Sequence, residues 1–262
     1  MFILHIGNKN YSSWSMRPWV AMTAFGIPFE ERQHGLDTPE FAEQVGRLSP
    51  VARVPILEHG ALRVWDSLAI SEYLAEQFPH HALWPRDTAA RALARSLCAS
   101  MHSGFGALRE HMPMNIRAQL PGRGLTPAVQ RDIDQILRLW QGALQSSGGP
   151  FLFGAFCLAD AFYAPVCMRF LTYRPELPDW AWRHVQDIAA PSRCFCQRKS
   201  HIAVRNAPQP WGGRLGGEWP ATRLSRFASS TVSCSTPLRN VLSPICPGLA
   251  SSSPGRAVAR PG

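Results

Sequence analysis

The order of apolar and polar positions along residues 1–79 predicts strands and helices in alternation. Phe2 to Ile6 is a short apolar run that ends at Gly7, which is typical of a buried strand. Similar patterns predict a helix at Ser15–Phe25, a strand at Phe29–His34, a short helix at Pro39–Arg47, a hairpin from RVPIL to ALRVW, and a helix in SLAISEYLAEQF. The predicted order is strand, helix, strand, helix, strand, strand, helix.

This order predicts an α/β thioredoxin-like N-terminal domain over residues 1–79. A linker follows at residues 80–88, because the prolines of FPHHALWPRD stop one helix and delay the next. Over residues 89–189 the strand pattern disappears, and an all-α C-terminal helical domain is expected. Its predicted helices are Ala89–Ile116, Thr126–Gln145, Leu158–Tyr173 and Asp179–Ala189.

Residues 190–262 change abruptly to a basic tail rich in Ser, Pro and Arg, with no sustained period of 2 or 3.6. Such composition buries too little apolar surface to offset chain ordering, so a disordered C-terminal tail is predicted. The whole net charge of +9 lies beyond Ala190, where the sequence contains ten basic residues and one acidic residue, Glu218. This loss of pattern suggests a hypothesis of translation in a shifted frame, which sequencing of the coding DNA would test.

Other features narrow the class of protein. No apolar run approaches the roughly 20 residues of a membrane span, and MFILHI lacks the basic flank of a secretory signal. We therefore expect a cytoplasmic protein without membrane partners. The seven cysteines are irregularly spaced, and Cys194 and Cys196 lack a second pair, so neither a disulfide framework nor a metal site is expected.

Three places in the first domain carry candidate chemistry. Ser12, with Ser13 and Ser15, precedes an apolar helix, where a serine either caps the helix or presents a hydroxyl to a ligand. Val54 precedes Pro55, which begins a strand without a backbone donor and can be cis. Asp66 and Ser67 open the next helix, where an acid and a hydroxyl form a simple cap or hold an amine and a carboxylate.

Together, SSWSMR, RVPIL and WDSLAISEYL resemble the cytosolic glutathione S-transferases that carry a serine in the active site. SSWS is most similar to the Ser-Ser-Cys-Ser signature of the zeta (maleylacetoacetate isomerase-like) class, with Trp14 in place of cysteine. The resemblance covers Met1 to about Ile188. In FGAFCLADAFYAPV, Cys157 occupies the hydroxyl position of the family's capping box and Asp160 is retained, which predicts a loss of up to about 1 kcal/mol.

The resemblance implies a transferase that stabilises the glutathione thiolate for addition to an electrophilic small molecule, with glutathione as substrate or cofactor and no metal. It assigns Ser12 to the sulfur, the Val54 backbone and Arg53 to the tripeptide, and Asp66 and Ser67 to the γ-glutamyl amine and carboxylate. It also implies a homodimer. Met101, Phe105 and Met112 could face a second-substrate cleft opposite Trp14, although their helical spacing is equally that of core residues.

Three alternatives remain at this point. A zeta-like cis-trans isomerase would use glutathione as a cofactor and release it unchanged. A catalytically weak glutathione-binding module would keep the fold without turnover. A nucleic-acid-binding arm would use the arginines of the tail, but few aromatic residues accompany them, so nucleic acid is an unlikely partner.

Overall fold

The first part of the chain forms a four-stranded mixed sheet. The structure, a computed structural model, describes residues 1–36 and 38–197. Its strands are β1 (Phe2–Ile6), β2 (Phe29–Gln33), β3 (Ile56–His59) and β4 (Leu62–Trp65). They lie in the order β2-β1-β3-β4, with β1 parallel to β2 and with β3 antiparallel to both of its neighbours.

Three helices complete this part, namely α1 (Ser13–Ala24), α2 (Pro39–Gly46) and α3 (Ser67–Gln77). Leu4 and Ile6 on β1 are fully buried, as are Trp19 and Met22 on α1, so this strand and helix form the centre of the local core. Parallel strands need a crossover connection, and α1 supplies it between β1 and β2. The predicted thioredoxin-like order of elements is confirmed.

Helices alone make up the second part. They are α4 (Thr88–Ser103), α5 (Gly106–His111), α6 (Pro127–Ser147), α7 (Leu158–Tyr173) and α8 (Asp179–Gln197), preceded by a 3-10 turn at Pro79–His81. The single helix expected from Ala89 to Ile116 is divided, because Phe105 adopts a left-handed conformation with φ of +60° between two glycines. Apolar residues recur every three or four positions across this break, which is why the sequence pattern did not reveal it.

Helix α7 is the centre of the helical part and also joins it to the first part. Every residue of α7 except Leu171 is buried, and the helix packs against α1, α4 and α8. A helix that is apolar on all sides is typical of a protein core. The sheet part and the helical part therefore share one continuous core through the contact between α1 and α7.

The first turn of α7 contains the predicted capping box. Asp160 Oδ2 accepts the Cys157 backbone N–H at 2.8 Å, and Asp160 Oδ1 accepts the Leu152 N–H at 3.0 Å. The Cys157 sulfur takes the position of the usual hydroxyl oxygen opposite the Asp160 backbone. Burial raises the pKa of Asp160 to about 6, against the opposing effect of these two backbone donors.

Helix α8 continues to Gln197, eight residues beyond the predicted end at Ala189. Ser192 in this extension is buried, and its hydroxyl donates to the Ile188 carbonyl at 2.7 Å. The predicted tail thus begins, at the earliest, after Gln197, and the prediction of disorder for the residues beyond lies outside the described part of the chain. Among residues 1–36 and 38–197, no helix combines the length and apolarity that crossing a membrane requires.

Candidate functional site

The end of β1 and the start of α1 form the first component of the site. A turn at Asn8 connects them, and the Ser12 N–H donates to the Asn8 carbonyl at 2.8 Å. Ser12 occupies the N-cap position, yet its side chain caps no backbone N–H of α1. Instead the Ser12 hydroxyl contacts the Ser15 hydroxyl at 2.7 Å, and Ser15 Oγ accepts the Gly7 N–H at 3.1 Å.

Because Ser12 is not a cap, the first turn of α1 keeps free donors. Within the described residues, the backbone N–H groups of Trp14 and Ser15 have no hydrogen-bond acceptor. These donors and the positive end of the helix favour an anion at this position. Ser12 retains 8% exposure, whereas Ser15 is fully buried, so Ser12 is the hydroxyl that a ligand can approach.

The loop before β3 lies beside this helix start. The peptide bond between Val54 and Pro55 is cis, as the sequence suggested. β1 and β3 pair with His5 opposite Ile56, and continuation of this register places Val54 beside Gly7. The Val54 backbone has no protein hydrogen-bond partner in the described part of the chain. Val54 is half-buried, and Arg53, the residue before it, is exposed.

Asp66 and Ser67 sit at the start of α3, and the structure gives them different surroundings. Asp66 Oδ1 caps the helix by accepting the N–H of Leu68 at 2.7 Å, while Asp66 Oδ2 lies 3.3 Å from His102 Nε2. The Asp66 side chain is 42% exposed, but Ser67 is fully buried. A ligand can reach Asp66 directly, whereas contact with the Ser67 hydroxyl requires a neighbouring side chain to move.

Arg17 connects the starts of α1 and α3, and the sequence analysis did not identify it. Its Nη1 donates to Ser67 Oγ at 3.2 Å, and its guanidinium is 1% exposed. Among the described residues no carboxylate lies within ion-pair distance of Arg17, and its Nε has no hydrogen-bond partner. An arginine inside the buried run from Met16 to Met22 was the signal in the sequence that could have revealed it.

The charge of Arg17 is not neutralised within its own surroundings. Burial, together with the nearby positive charges of Arg109 and Arg169, lowers the pKa of Arg17 to about 9. The group stays protonated at neutral pH. A buried, unpaired cation next to a helix N-terminus is a strongly positive environment, which an arriving carboxylate would neutralise.

Trp14 occupies the space between the sheet part and the helical part. The guanidinium of Arg17 lies 4.1 Å from the centre of the Trp14 ring and that of Arg109 lies 4.8 Å from it. The His102 ring meets Trp14 edge-on at 5.0 Å. Arg109 is itself held by backbone carbonyls at the end of α4, including Gly104 at 3.0 Å. Trp14 is thus packed against two cationic side chains and a histidine ring.

The three apolar residues considered for a second-substrate cleft belong to the core. Met101, Phe105 and Met112 are at most 5% exposed. Their helical spacing therefore reflected packing, and the structure does not place them on a cleft wall. Residues 1–36 and 38–197 contain no group of three or more His, Cys, Asp or Glu side chains placed to share a metal ion.

Comparisons with known proteins agree with this architecture. Residues 11–77 match the family model of the glutathione S-transferase N-terminal domain. Maleylacetoacetate isomerase from Rattus norvegicus is 30% identical over 167 residues, which cover 62% of this chain and 75% of that protein. Glutathione S-transferase 1 from Dianthus caryophyllus is 30% identical over 168 residues, covering 62% of this chain and 74% of that protein.

Solved structures give the same result. A glutathione transferase homologue from Burkholderia, crystallised with bound glutathione, superposes with a TM-score of 0.57 at 26% identity. The match covers 75% of this chain and 96% of the Burkholderia chain. With one family model over the sheet part and relatives that extend through the helices, this chain belongs to the glutathione S-transferase family of enzymes.

Proposed function

We propose that this protein binds glutathione with its sulfur at the start of α1, holds that sulfur as a thiolate, and adds it to an electrophilic small molecule. One observation carries the proposal: Ser12 stands at the N-cap position of α1 and caps nothing. Two N–H groups of the first turn have no acceptor among the described residues, and the Ser12 hydroxyl can rotate from Ser15 to an arriving anion.

The two serines can supply a donor without losing their own contact. A hydroxyl rotates, so either serine can donate across the 2.7 Å contact between Ser12 and Ser15. When a sulfur anion arrives, Ser15 donates to Ser12, and Ser12 donates to the sulfur. The Gly7 N–H fixes the Ser15 oxygen in place throughout.

The energies involved are sufficient for thiolate formation. A free thiol has a pKa of about 8.5, so only a few per cent is ionised at neutral pH. A fall of about 2 pKa units requires roughly 2.7 kcal/mol. A hydrogen bond to a charged group contributes about 1.5–3 kcal/mol, and a helix N-terminus adds about 0.3–1 kcal/mol. One hydroxyl and one helix end are therefore enough.

The rest of the tripeptide would lie along the line from Ser12 to α3. Ser12 and Arg17 are five positions apart, which is about 7–8 Å along a helix axis. That span suits a tripeptide, whose residues extend about 3.3 Å each. In this proposal the Val54 backbone pairs with the central residue of glutathione, as one strand pairs with another, and Arg53 contacts its exposed part.

The γ-glutamyl end would bind at the start of α3. Asp66 Oδ2, exposed and close to His102, takes the ammonium group, while Oδ1 continues to cap the helix. The carboxylate takes the position in front of Ser67. Arg17 supports this arrangement, since its donation to Ser67 Oγ leaves the Ser67 hydroxyl hydrogen available for the carboxylate.

A zeta-like isomerase is the second candidate function. The 30% identity to the rat maleylacetoacetate isomerase supports it, because that relative is an isomerase by name. Glutathione would then add to the substrate and leave again, through the same thiolate. Product analysis separates the two functions: the isomerase returns free glutathione, and the transferase consumes it.

A homodimer and an electrophilic partner complete the proposal. Leu62 and Trp65 on β4 and Leu93 on α4 are large apolar side chains that remain 41–56% exposed. Coverage of these side chains by a second copy supports dimerisation, and sedimentation of the wild-type protein tests it. The cytoplasm stays the predicted location.

The decisive experiment measures retention on glutathione-agarose and conjugation of a model electrophile, for wild type and Ser12→Ala. We expect both proteins to be retained and only the wild type to conjugate efficiently. Equal conjugation by both would show that the Ser12 assignment is wrong. Retention of wild type without conjugation of any model electrophile and without isomerisation would favour a binding module.

A further inference from the structure

The loop that carries Ser12 is anchored to the helical part of the protein through Asn10, whose backbone carbonyl accepts the Ile116 N–H at 3.4 Å and whose side chain makes two shorter bonds. Asn10 is only 9% exposed and lies two residues before Ser12. Its Nδ2 donates to Asn115 Oδ1 at 2.7 Å, and its Oδ1 accepts the Arg117 backbone N–H at 3.0 Å. Because a backbone N–H pairs only with the oxygen, this second contact also fixes the orientation of the Asn10 amide.

The partner of Asn10 is itself rigidly held. We call residues 112–122 the anchor loop. Side chains of α7 donate to its backbone carbonyls: Arg169 to Met112, Thr172 to Asn115 and Tyr173 to Pro113, each at 2.9 Å. The anchor loop also donates from Leu120 to the Thr172 carbonyl at 2.7 Å. The anchor loop is therefore fixed to the buried centre of the protein.

On its other side, Asn10 is coupled to the backbone of Ser12. The Asn10 N–H donates to Asn8 Oδ1 at 2.9 Å, and the Ser12 N–H donates to the Asn8 carbonyl at 2.8 Å. A shift of Asn10 thus moves the same turn that holds Ser12. Hydrogen bonds join α7 to the anchor loop, the anchor loop to Asn10, and Asn10 through Asn8 to Ser12.

We propose that Asn10 is a positioning residue, which fixes the Ser12 hydroxyl against the glutathione sulfur by bonding the serine loop to the anchor loop of the helical part. The inference rests on the proposed function of Ser12. Asn10 itself touches neither sulfur nor electrophile in this assignment. Removing its side chain leaves every donor of the thiol site in place. It breaks the two shorter of the three bonds to the anchor loop and leaves only the 3.4 Å backbone bond from Ile116, so the turn at Asn8 is held less tightly.

We expect the loss of Asn10 to affect kcat/KM and the pKa of the bound thiol more than the affinity for glutathione. Small misplacement of a reacting group lowers rates strongly even when the group is retained. We expect Asn10→Ala to lower kcat/KM about 10-fold, and to raise the measured pKa of the bound glutathione thiol by about one unit. The affinity for glutathione should change less than about threefold, because Val54, Asp66 and Ser67 are untouched.

The test follows the thiolate absorption of bound glutathione against pH for wild type, Asn10→Ala, Asn115→Ala and Asn115→Asp. Asn115→Asp keeps an oxygen that accepts from Asn10 Nδ2, so it should keep the wild-type thiol pKa. Asn115→Ala should shift this pKa in the same direction as Asn10→Ala, and the double variant should add little to either. Should Asn10→Ala fail to fold, Asn115→Ala and Asn115→Asp make the same comparison from the anchor loop.

Tyr163→Phe is the matched control, because it removes a buried hydrogen bond to the Leu97 carbonyl at 3.3 Å and none of the hydrogen bonds of the serine loop or the anchor loop. It should lower thermal stability without moving the thiol pKa. An unchanged thiol pKa in both alanine variants, with a lowered pKa in wild type, would overturn the role of Asn10. A wild-type thiol pKa no lower than that of free glutathione would instead overturn the proposed function.

Discussion

The first turns of α1 and α7 differ in what their N-cap residues contact. Helix α1 has a hydroxyl at its N-cap position, Ser12, which makes no cap. Helix α7 has no hydroxyl at its N-cap position, Cys157, and still forms a capping box through Asp160. The difference lies in what the side chains contact: Asp160 accepts the Cys157 N–H, whereas the Ser12 hydroxyl contacts Ser15. The first turn of α1 therefore keeps backbone donors that a ligand could use.

The start of α3 lies between these two cases. Asp66 caps the helix with one oxygen and keeps the other exposed toward His102. One carboxylate thus caps the helix and keeps a second oxygen for the proposed contact with glutathione. The three helix starts make separable predictions, because a cap contributes to stability and a free donor contributes to binding or rate.

The largest effect is expected at α7. Asp160→Ala leaves the buried N–H groups of Leu152 and Cys157 without acceptors, at about 1–3 kcal/mol each. We expect the free energy of unfolding to fall by about 2–4 kcal/mol in urea denaturation. The control is Asp87→Ala, since Asp87 caps α4 at the exposed Ala90 N–H, and a loss of about 1 kcal/mol is expected there. An equal loss of unfolding free energy in both variants would contradict a larger contribution of the α7 capping box than of the α4 cap.

Asp160 also predicts a dependence on pH. Burial raises the pKa of Asp160 to about 6, above the value of about 3.9 in an unfolded chain. The folded state therefore binds a proton that the unfolded state releases between about pH 4 and pH 6. The contribution of this group is largest in acid and declines by about 3 kcal/mol as the pH rises through 6. The stability difference between wild type and Asp160→Asn should decline likewise; a flat difference would contradict the raised pKa.

The second effect concerns α1. Ser12→Ala removes one contact between hydroxyls and no helix cap, so the free energy of unfolding should fall by less than about 1 kcal/mol. The conjugation rate should fall about 10- to 100-fold, since a hydrogen bond to a charged sulfur is lost. Ser13→Ala is the neighbouring control and should retain most activity. If Ser12→Ala lost as much stability as Asp160→Ala, Ser12 would have to be a helix cap after all.

A smaller effect is expected at α3. Asp66→Asn keeps an oxygen for the Leu68 N–H and removes the negative charge. Stability should stay within about 0.5 kcal/mol of wild type, while the Kd for glutathione rises about two- to fivefold, as suits a half-exposed ion pair. Calorimetric titration measures the Kd. Unchanged affinity would remove Asp66 from the proposed binding of the γ-glutamyl amine.

The smallest effect tests the substituted cap. Cys157→Ser returns a hydroxyl to the capping box of α7, and a hydroxyl accepts a backbone N–H better than a thiol does. We expect thermal and urea unfolding to show a gain of about 0.5–1 kcal/mol. A loss of stability would mean that sulfur packing at this buried position outweighs the better cap.

Local patterns revealed most of the fold but only part of the candidate site. The alternation of strands and helices over the first part follows from apolar spacing and from Gly and Pro, which act over a few residues. The bounds of α7 were predicted correctly, because Leu158 to Tyr173 is a long run of mostly apolar residues. The break at Phe105 was missed, since a left-handed residue leaves the apolar spacing around it unchanged.

Long-range contacts explain the remaining omissions. Asn10 pairs with Asn115, 105 positions away, and no local pattern signals such a contact. Arg17 was visible as a charge in an apolar helix, but its donation to Ser67 spans 50 positions. Site residues that act within one turn, such as Ser12 and Asp66, are accessible to sequence reasoning. Residues that join two elements are not.

The burial of α7 on nearly all sides has a consequence for how this protein can change in evolution. One flank of α7 packs on α1, the helix that begins with the serines. Exchanging the helical half for that of a distant relative would therefore replace the surface against which the serine helix rests. Chimeric proteins of this kind should fold only when the donor half brings a flank that matches α1.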